Sequence, residues 1–322
     1  MTKFKEKLSS IMEEYLNSCH EQNKYTLLHK RRIIIDFIAY LPEGADCINY
    51  TAIISWQKTK NVARNTLNGH LCVLKQFLNL VAAHGIQCSE PVIGKYENTY
   101  TPYIFSEDEL VKLIGAADNN ISKSRKASSK TICFPIIIRL LAFTGMRLME
   151  VLPLKKEDYD TEAGVFTLTK TKGNKERIVP LHPTLSLQMN KYLNRINTLY
   201  PKSIYLFPQD NSLCHITKGQ AEYEFNKILG QAGIRKKNES SKKFERSVCI
   251  HCLRHYFAIN SFRNLSNRNI SNGIEHLSVY LGHTSILETE TYLKFSHDMY
   301  PEALAMFEEY TSDIFKGFEQ YE

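Results

Sequence analysis

The chain has 322 residues, of which 43% are hydrophobic and 23% charged, and its formal net charge is +7. This length suffices for two domains with separate cores, and the lack of an uninterrupted apolar run of about 18 residues excludes a membrane-spanning protein. The basic excess lies in residues 101–300, where 28 basic side chains face 19 acidic ones, as a polyanion-binding surface requires.

Eight cysteines are scattered along the chain, mostly within apolar segments. Residues 1–7 carry no apolar core, so the sequence predicts no signal peptide, and we expect reduced thiols in the cytoplasm. Cys249 and Cys252 have the spacing of zinc ligands, with His251 and His255 beside them. One such pair without a second predicts a zinc site only weakly, so we expect neither a metal nor a cofactor.

Residues 1–88 are expected to form a helical domain. Apolar side chains recur at spacings of three and four residues over Leu8–Leu16 and, more loosely, over Leu28–Ile38, which is the period of an amphipathic helix. Two more helices are predicted over Tyr50–Gln57 and Ala63–Ala83. Periodicity alone fits a nucleic-acid clamp and a protein-interaction bundle equally.

Residues 89–102 are predicted to be a linker, because proline, glycine and polar residues replace the periodic pattern there. A second domain is expected over 103–300. Its first helix is predicted to open at a capping box formed by Ser106 and Glu109.

This second domain is expected to combine helices with a small β-hairpin. Pro135–Ala142 is apolar enough to be a buried helix, which would fix Arg147 on a rigid support after a turn at Gly145. Alternation over Val165–Thr169 and Glu176–Pro180 predicts the two strands of the hairpin. The predicted fold class is therefore mainly α with a small β-sheet.

Two arginines, two histidines and a tyrosine in this domain have the chemistry to cleave a phosphodiester. A guanidinium is planar, charged and rich in donors, so Arg147 and Arg254 could bracket the two non-bridging oxygens. His251 precedes Arg254 by three residues, which puts both on nearly the same helix face, and His283 could add another donor. Tyr292 becomes a nucleophile once its phenol, with an ordinary pKa of about 10, loses its proton.

Short motifs in this order resemble the tyrosine recombinase (phage integrase) family. Thr144–Glu150 matches the family's Thr-Gly-x-Arg-x-x-Glu, and His251 with Arg254 matches His-x-x-Arg. Leu281–His283 matches Leu-Gly-His, and Tyr292 follows this histidine by nine residues, as the family's nucleophile does.

The run from Thr169 to Leu181 is similar to the family's β-hairpin, in which a catalytic lysine stands just before the turn glycine. Lys172 is the matching position. We interpret Lys175 and Arg177 as contacts to the DNA backbone. Glu150 is interpreted as a residue that orients the arginine of the first motif or anchors the local fold.

The resemblance implies a helical core-binding domain followed by a mixed α+β catalytic domain that acts on double-stranded DNA recombination sites without metal or ATP. It favours a site-specific recombinase of a bacterial mobile element or phage, cytoplasmic and associated with the nucleoid. The catalytic residues that it implies are Arg147, Lys172, His251, Arg254, His283 and Tyr292.

Two other functions remain open from the sequence. A type IB-like topoisomerase would use similar residues to relax supercoils without a partner site. A catalytically inactive DNA-binding protein of the same fold would bind DNA without cutting it.

Residues 301–322 form an acidic tail, with one basic against six acidic side chains. An apolar stripe predicts an amphipathic helix. This helix could pack on its own domain, or dock into a neighbouring subunit, as in family members that form cyclic tetramers on DNA.

Overall fold

The computed structural model describes residues 3–19, 24–96, 102–122, 128–169, 176–234, 248–268, 272–282, 285–286 and 289. The chain divides into two compact units, Met1–Thr99 and Tyr100–Glu322. The predicted tail helix lies outside the described residues.

The first unit is a helical bundle, and its helices match those that the apolar periodicity predicts. Their inward faces meet in one core that includes Leu8, Ile34, Phe37, Trp56 and Phe77. The helices are α1 (Lys3–Ser18), α2 (Lys24–Tyr40), α3 (Tyr50–Lys58) and α4 (Arg64–Ala83).

Residues 86–96 lie against this bundle. The side chain of Asn68, on α4, donates from Nδ2 to the carbonyl of Gly94 at 3.0 Å and accepts from the Gly94 N–H at 3.2 Å. The main chain of Ile48 pairs with Gln87 and Ser89. Because these bonds fix the segment as far as Gly94, the first part of the sequence-predicted linker packs as part of the first unit.

The second unit is built around one nearly apolar helix, Ser129–Thr144 (α6), which packs against five other described helices. A helix that is hydrophobic on all sides belongs in a core, and Pro135–Ala142, predicted to be buried, lies within it. Ser106 and Glu109 form the expected capping box at the helix that begins with Glu107. The helices are α5 (Glu107–Ser122), α6 (Ser129–Thr144), α7 (Leu148–Val151), α8 (Pro183–Leu199), α9 (Lys218–Gln231), α10 (Cys252–Asn267) and α11 (Gly273–Leu281).

A small antiparallel sheet completes this unit, and its described strands lie side by side in the order of the chain. Its strands are β1 (Tyr159–Asp160), β2 (Val165–Leu168) and β3 (Arg177–Pro180), and a short 3₁₀ helix (Lys156–Asp158) precedes them. Phe166 pairs with Val179, and both are buried. The hairpin of β2 and β3 was expected from alternation, β1 was not, and the fold class of mainly α with a small sheet is confirmed.

Among the described residues, no helix combines the length and the apolar character that crossing a membrane requires.

Candidate active site

The site begins at the C-terminal end of α6, where the chain turns sharply at Gly145. Gly145 caps the helix with φ +62°, a left-handed conformation that glycine adopts without steric cost. A Cβ at this position would lie 2.3 Å from Cδ1 of Phe257, on α10. The turn therefore requires glycine for two reasons, and it sets Arg147 directly before α7.

Arg147 is the N-cap of α7, and Glu150 fixes it in place. The Arg147 N–H donates to Oε2 of Glu150 at 2.8 Å, and its Nη1 donates to Oε1 at 2.9 Å. Its Nη2 donates to the carbonyl of Gly282, at the end of α11, at 3.2 Å. The first motif is thus joined directly to the third, which contains Gly282.

Arg177 of β3 holds the same carboxylate from the other side. Its Nη1 and Nη2 donate to Oε1 and Oε2 of Glu150 at 3.0 and 2.7 Å. Burial alone would raise the pKa of Glu150, but the hydrogen bonds from Arg177 and Arg147 outweigh it and hold this pKa below its usual value. The interpretation of Arg177 as a DNA-backbone contact is therefore corrected, because both its terminal nitrogens bind a buried carboxylate.

Arg254 lies in the first turn of α10 and is only 2% exposed. Its Nη1 donates to the carbonyl of Gly145 at 2.5 Å, and its Nη2 donates to the carbonyl of Leu281 at 2.9 Å. The arginine of the second motif therefore binds the main chain of both the first and the third. A buried guanidinium places a fixed positive charge beneath the surface.

His251 precedes α10 and is exposed, as a group that meets a substrate must be. Desolvation by neighbouring protein atoms, and then the charges of Arg254 and Arg147, lower the pKa of His251. A neutral imidazole can accept a proton. Its ring meets that of His255 edge to face, with centroids 4.8 Å apart, and burial lowers the pKa of His255 to about 3.

Arg147 and His251 line one cleft of about 500 Å³. Its wall also includes Cys249 and, on α9, Lys218, Asn226 and Glu222, and the carboxylate of Glu222 pairs with the ammonium of Lys218 at 3.6 Å. The guanidinium of Arg147 and the imidazole of His251 therefore leave the lining with a net positive charge, which suits an anionic ligand.

The zinc-spaced cysteines form a thiol pair beside this cleft. Their Sγ atoms are 3.7 Å apart, with Cys249 exposed and Cys252 buried. In the part of the chain that the structure describes, no three His, Cys, Asp or Glu side chains are grouped so that they could hold a metal ion.

Lys172, His283 and Tyr292 lie outside the described residues, so their catalytic assignments stay predictions. The structure does describe Leu281 and Gly282, which directly precede His283. Their carbonyls accept hydrogen bonds from Arg254 and Arg147, respectively.

The sequence model of the phage integrase family matches residues 104–298. The chain belongs to this family. It is a tyrosine recombinase by family, and the range matched contains the whole described site.

Two relatives and one solved structure resemble the chain over most of its length. An integrase/recombinase of Sinorhizobium fredii is 26% identical over 295 residues, which cover 88% of this chain and 92% of the relative. The tyrosine recombinase XerD of Rhizobium meliloti is 26% identical over 227 residues, or 69% of this chain and 67% of the relative.

The solved structure is the site-specific recombinase XerH bound to a palindromic difH substrate. It superposes with a TM-score of 0.68 at 19% identity, covering 92% of this chain and 84% of that one. This likeness shows that the two share a fold.

Proposed function

We propose that this protein is a site-specific DNA recombinase that cleaves and rejoins DNA through a 3′-phosphotyrosine intermediate. The observation that carries the proposal is the hydrogen-bonded junction of three motifs, in which Arg147 and Arg254 both bind the end of α11. Two guanidiniums converge there, and His251 shares a cleft with Arg147.

In the proposed reaction, the phenol oxygen of Tyr292 attacks the scissile phosphorus and the bond to the 5′-oxygen breaks. His251 takes up the phenol proton, for which its lowered pKa suits it. Lys172 gives a proton to the leaving 5′-oxygen. The products are a 3′-phosphotyrosine and a 5′-hydroxyl, which are the reactants of the reverse joining step.

Arg147 and Arg254 stabilise the charge that builds on the non-bridging oxygens, and His283 donates to the same phosphate. A partner strand's 5′-hydroxyl then attacks the phosphotyrosine. Because bond energy is kept in the intermediate, no ATP is consumed, and the cationic side chains supply the charge that a divalent metal would bring.

The proposed substrate is double-stranded DNA containing a recombination site. The basic excess of residues 101–300 and the DNA bound in the XerH structure support it. We assign the helical unit 1–99 to clamping the duplex, and we propose tetramers on DNA. A bacterial mobile element or phage is the source that we favour.

A suicide substrate with a nick near the cleavage position tests the proposal, because cleavage releases a short fragment and traps the covalent adduct. Wild-type protein should give an adduct on a denaturing gel, also in excess chelator. Tyr292→Phe should bind the DNA equally well and give none.

Tyr280→Phe is the matched control. Tyr280 stacks on Phe257, with ring centroids 5.5 Å apart, and burial raises the pKa of its phenol, so it is a poor nucleophile. An adduct that persisted in Tyr292→Phe would refute the assignment of the nucleophile. An adduct that required a metal would contradict the proposed source of charge.

A further inference from the structure

The carboxylate of Glu150 is shared unequally between two arginines. Arg177 binds it with both terminal nitrogens, at 3.0 and 2.7 Å. The side chain of Arg147 binds it with Nη1 alone, at 2.9 Å. A paired fork on a carboxylate is the stronger arrangement, so Arg177 is the principal counter-ion of Glu150.

Of the two arginines, the one whose side chain makes fewer hydrogen bonds to Glu150 is the more exposed. The side chain of Glu150 is 4% exposed, that of Arg177 12%, and that of Arg147 21%. Arg147 lines the cleft, whereas Arg177 and Glu150 do not. Charges in such a buried setting interact more strongly than in water.

The three groups carry one net positive charge. Without Arg177, Glu150 and Arg147 would form a neutral pair, and the carboxylate would compete with a phosphate for the guanidinium. With Arg177 in place, the negative charge of Glu150 is already compensated.

We propose that Arg177 is a positioning residue whose charge compensates Glu150 and so leaves the charge of Arg147 available for the phosphate. The inference rests on the proposed function. Glu150 can then hold Arg147 in place without neutralising it.

Arg177 also abuts Gly282 of the third motif. A Cβ on Gly282, which has φ +65°, would lie 2.9 Å from Nη1 of Arg177. Because Gly282 also binds Arg147, the guanidinium of Arg177 contacts Glu150 of the first motif and lies next to Gly282 of the third. Strand β3, which follows Lys172 in the chain, is thereby tied to Arg147, the residue that Lys172 is proposed to assist.

Charge compensation predicts an unusual pattern among variants. Arg177→Met removes the charge and keeps much of the side-chain volume, so Glu150 should neutralise Arg147. Single-turnover cleavage of the suicide substrate should fall by about 10²-fold, as when one oxyanion donor is lost. DNA affinity should change by less than about threefold, because Arg177 does not line the cleft.

Removing the negative charge as well should restore activity. Glu150→Gln combined with Arg177→Met should cleave within about tenfold of the wild type, and so faster than Arg177→Met alone. Arg177→Lys keeps the charge but loses the fork, and should also cleave within about tenfold. A residue that merely supports the fold would give a double variant no better than the single one.

Arg139→Met is the matched control. Arg139 binds Asp118 with two hydrogen bonds of 2.8 and 2.7 Å, and neither residue lines the cleft. This variant loses a salt bridge of the same geometry and should cleave at the wild-type rate. Thermal melting of every variant shows whether it folds.

The proposal is overturned if Arg177→Met cleaves within about threefold of the wild type, or if the folded double variant is as slow as the single one. Should Arg177→Met fail to fold, a loss of about 10²-fold in the folded double variant or in Arg177→Lys would overturn it. Wild-type protein on the same gel distinguishes failure of the role proposed for Arg177 from failure of the proposed function. Without a wild-type adduct, the proposed function itself fails.

Discussion

Two arginines proposed to bind the same phosphate have different surroundings. Arg147 is partly exposed and binds a carboxylate that has a second partner. Arg254 is 2% exposed and binds two main-chain carbonyls from separate parts of the chain. Loss of Arg147 leaves Glu150 paired with Arg177, whereas loss of Arg254 leaves two carbonyls without this donor. The two residues should therefore differ in their contribution to stability.

Arg147→Ala should lower single-turnover cleavage by about 10²-fold and the free energy of unfolding by roughly 1 kcal/mol. Arg254→Ala should lower cleavage at least as much and the free energy of unfolding by about 3 kcal/mol or more, since unsatisfied buried groups and a cavity both cost stability. Urea denaturation and the suicide-substrate assay measure the two effects. Equal loss of stability in both variants would contradict the distinction.

His255 makes a pH-dependent contribution to stability. Burial, followed by the charges of His251 and Arg254, lowers its pKa in the folded protein to about 3, whereas an unfolded histidine has a pKa of about 6.5. Between these values only the unfolded chain takes up the proton. The contribution of His255 to the free energy of unfolding is therefore complete above pH about 6.5 and is lost progressively as the pH falls towards 3.

His255→Gln should weaken this dependence. Between pH 6 and pH 4, the free energy of unfolding of the wild type should fall more steeply than that of the variant, by roughly 1 kcal/mol per pH unit. Urea denaturation at several pH values measures both slopes. Glu150 is present in both proteins, so its own titration cancels in the comparison, and parallel slopes would refute the prediction.

The turn between α6 and α7 joins the buried helix α6 to the site. Gly145→Ala would force a left-handed backbone on alanine and place its Cβ 2.3 Å from Phe257. We expect a loss of about 3 kcal/mol in the free energy of unfolding. Cleavage should fall as well, because the carbonyl of Gly145 is a partner of Arg254.

Gly233→Ala separates backbone strain from the collision. Gly233 follows α9 with φ +70°, and a Cβ there would meet no atom within 4 Å. This variant should lose only about 1 kcal/mol and cleave normally. If both variants were equally destabilised, the contact with Phe257 would not be the reason for glycine at position 145.

The sequence predicts those helices and strands whose pattern is contained within a few consecutive turns or residues of the chain. Apolar periodicity places the helices of the first unit to within a few residues, and the Ser106 and Glu109 capping box is found as expected. β1 has only two residues, too few to show alternation. Arg177 lies 27 residues from Glu150, so its salt bridge depends on how the hairpin packs, which no local pattern encodes.

The site was predicted through motifs rather than through periodicity. A spacing of three residues relates His251 to Arg254 in the sequence, but only the folded chain brings Arg254 to Gly145 and Leu281. The burial of Arg254 beneath the cleft likewise has no sequence signal, since an arginine is buried only where partners are assembled around it.

At the scale of the whole molecule, each of the two units has its own hydrophobic core. The tail after Tyr300 has a composition unlike either unit: one basic and six acidic residues over 301–322. Its apolar stripe includes Leu304, Phe307 and Ile314, and burying each would contribute about 1.5 to 3 kcal/mol. Residues 101–300 offer the opposite charge in the same chain and in a neighbouring copy alike, so charge favours docking on either one.

If the tail docks on a neighbouring subunit, truncation after Tyr300 should separate cleavage from assembly. The truncated protein should keep its melting temperature, bind one half-site and cleave a suicide substrate, yet fail to form synaptic complexes or complete recombination. Phe307→Asp with Ile314→Asp should have the same effect, because it removes the stripe. Glu309→Ser is the matched control: at 100° per residue it lies on the opposite face of the predicted helix, and it should recombine normally. A lower melting temperature together with lost cleavage would place the tail on its own subunit, and normal synapsis after truncation would show that docking between subunits is not needed.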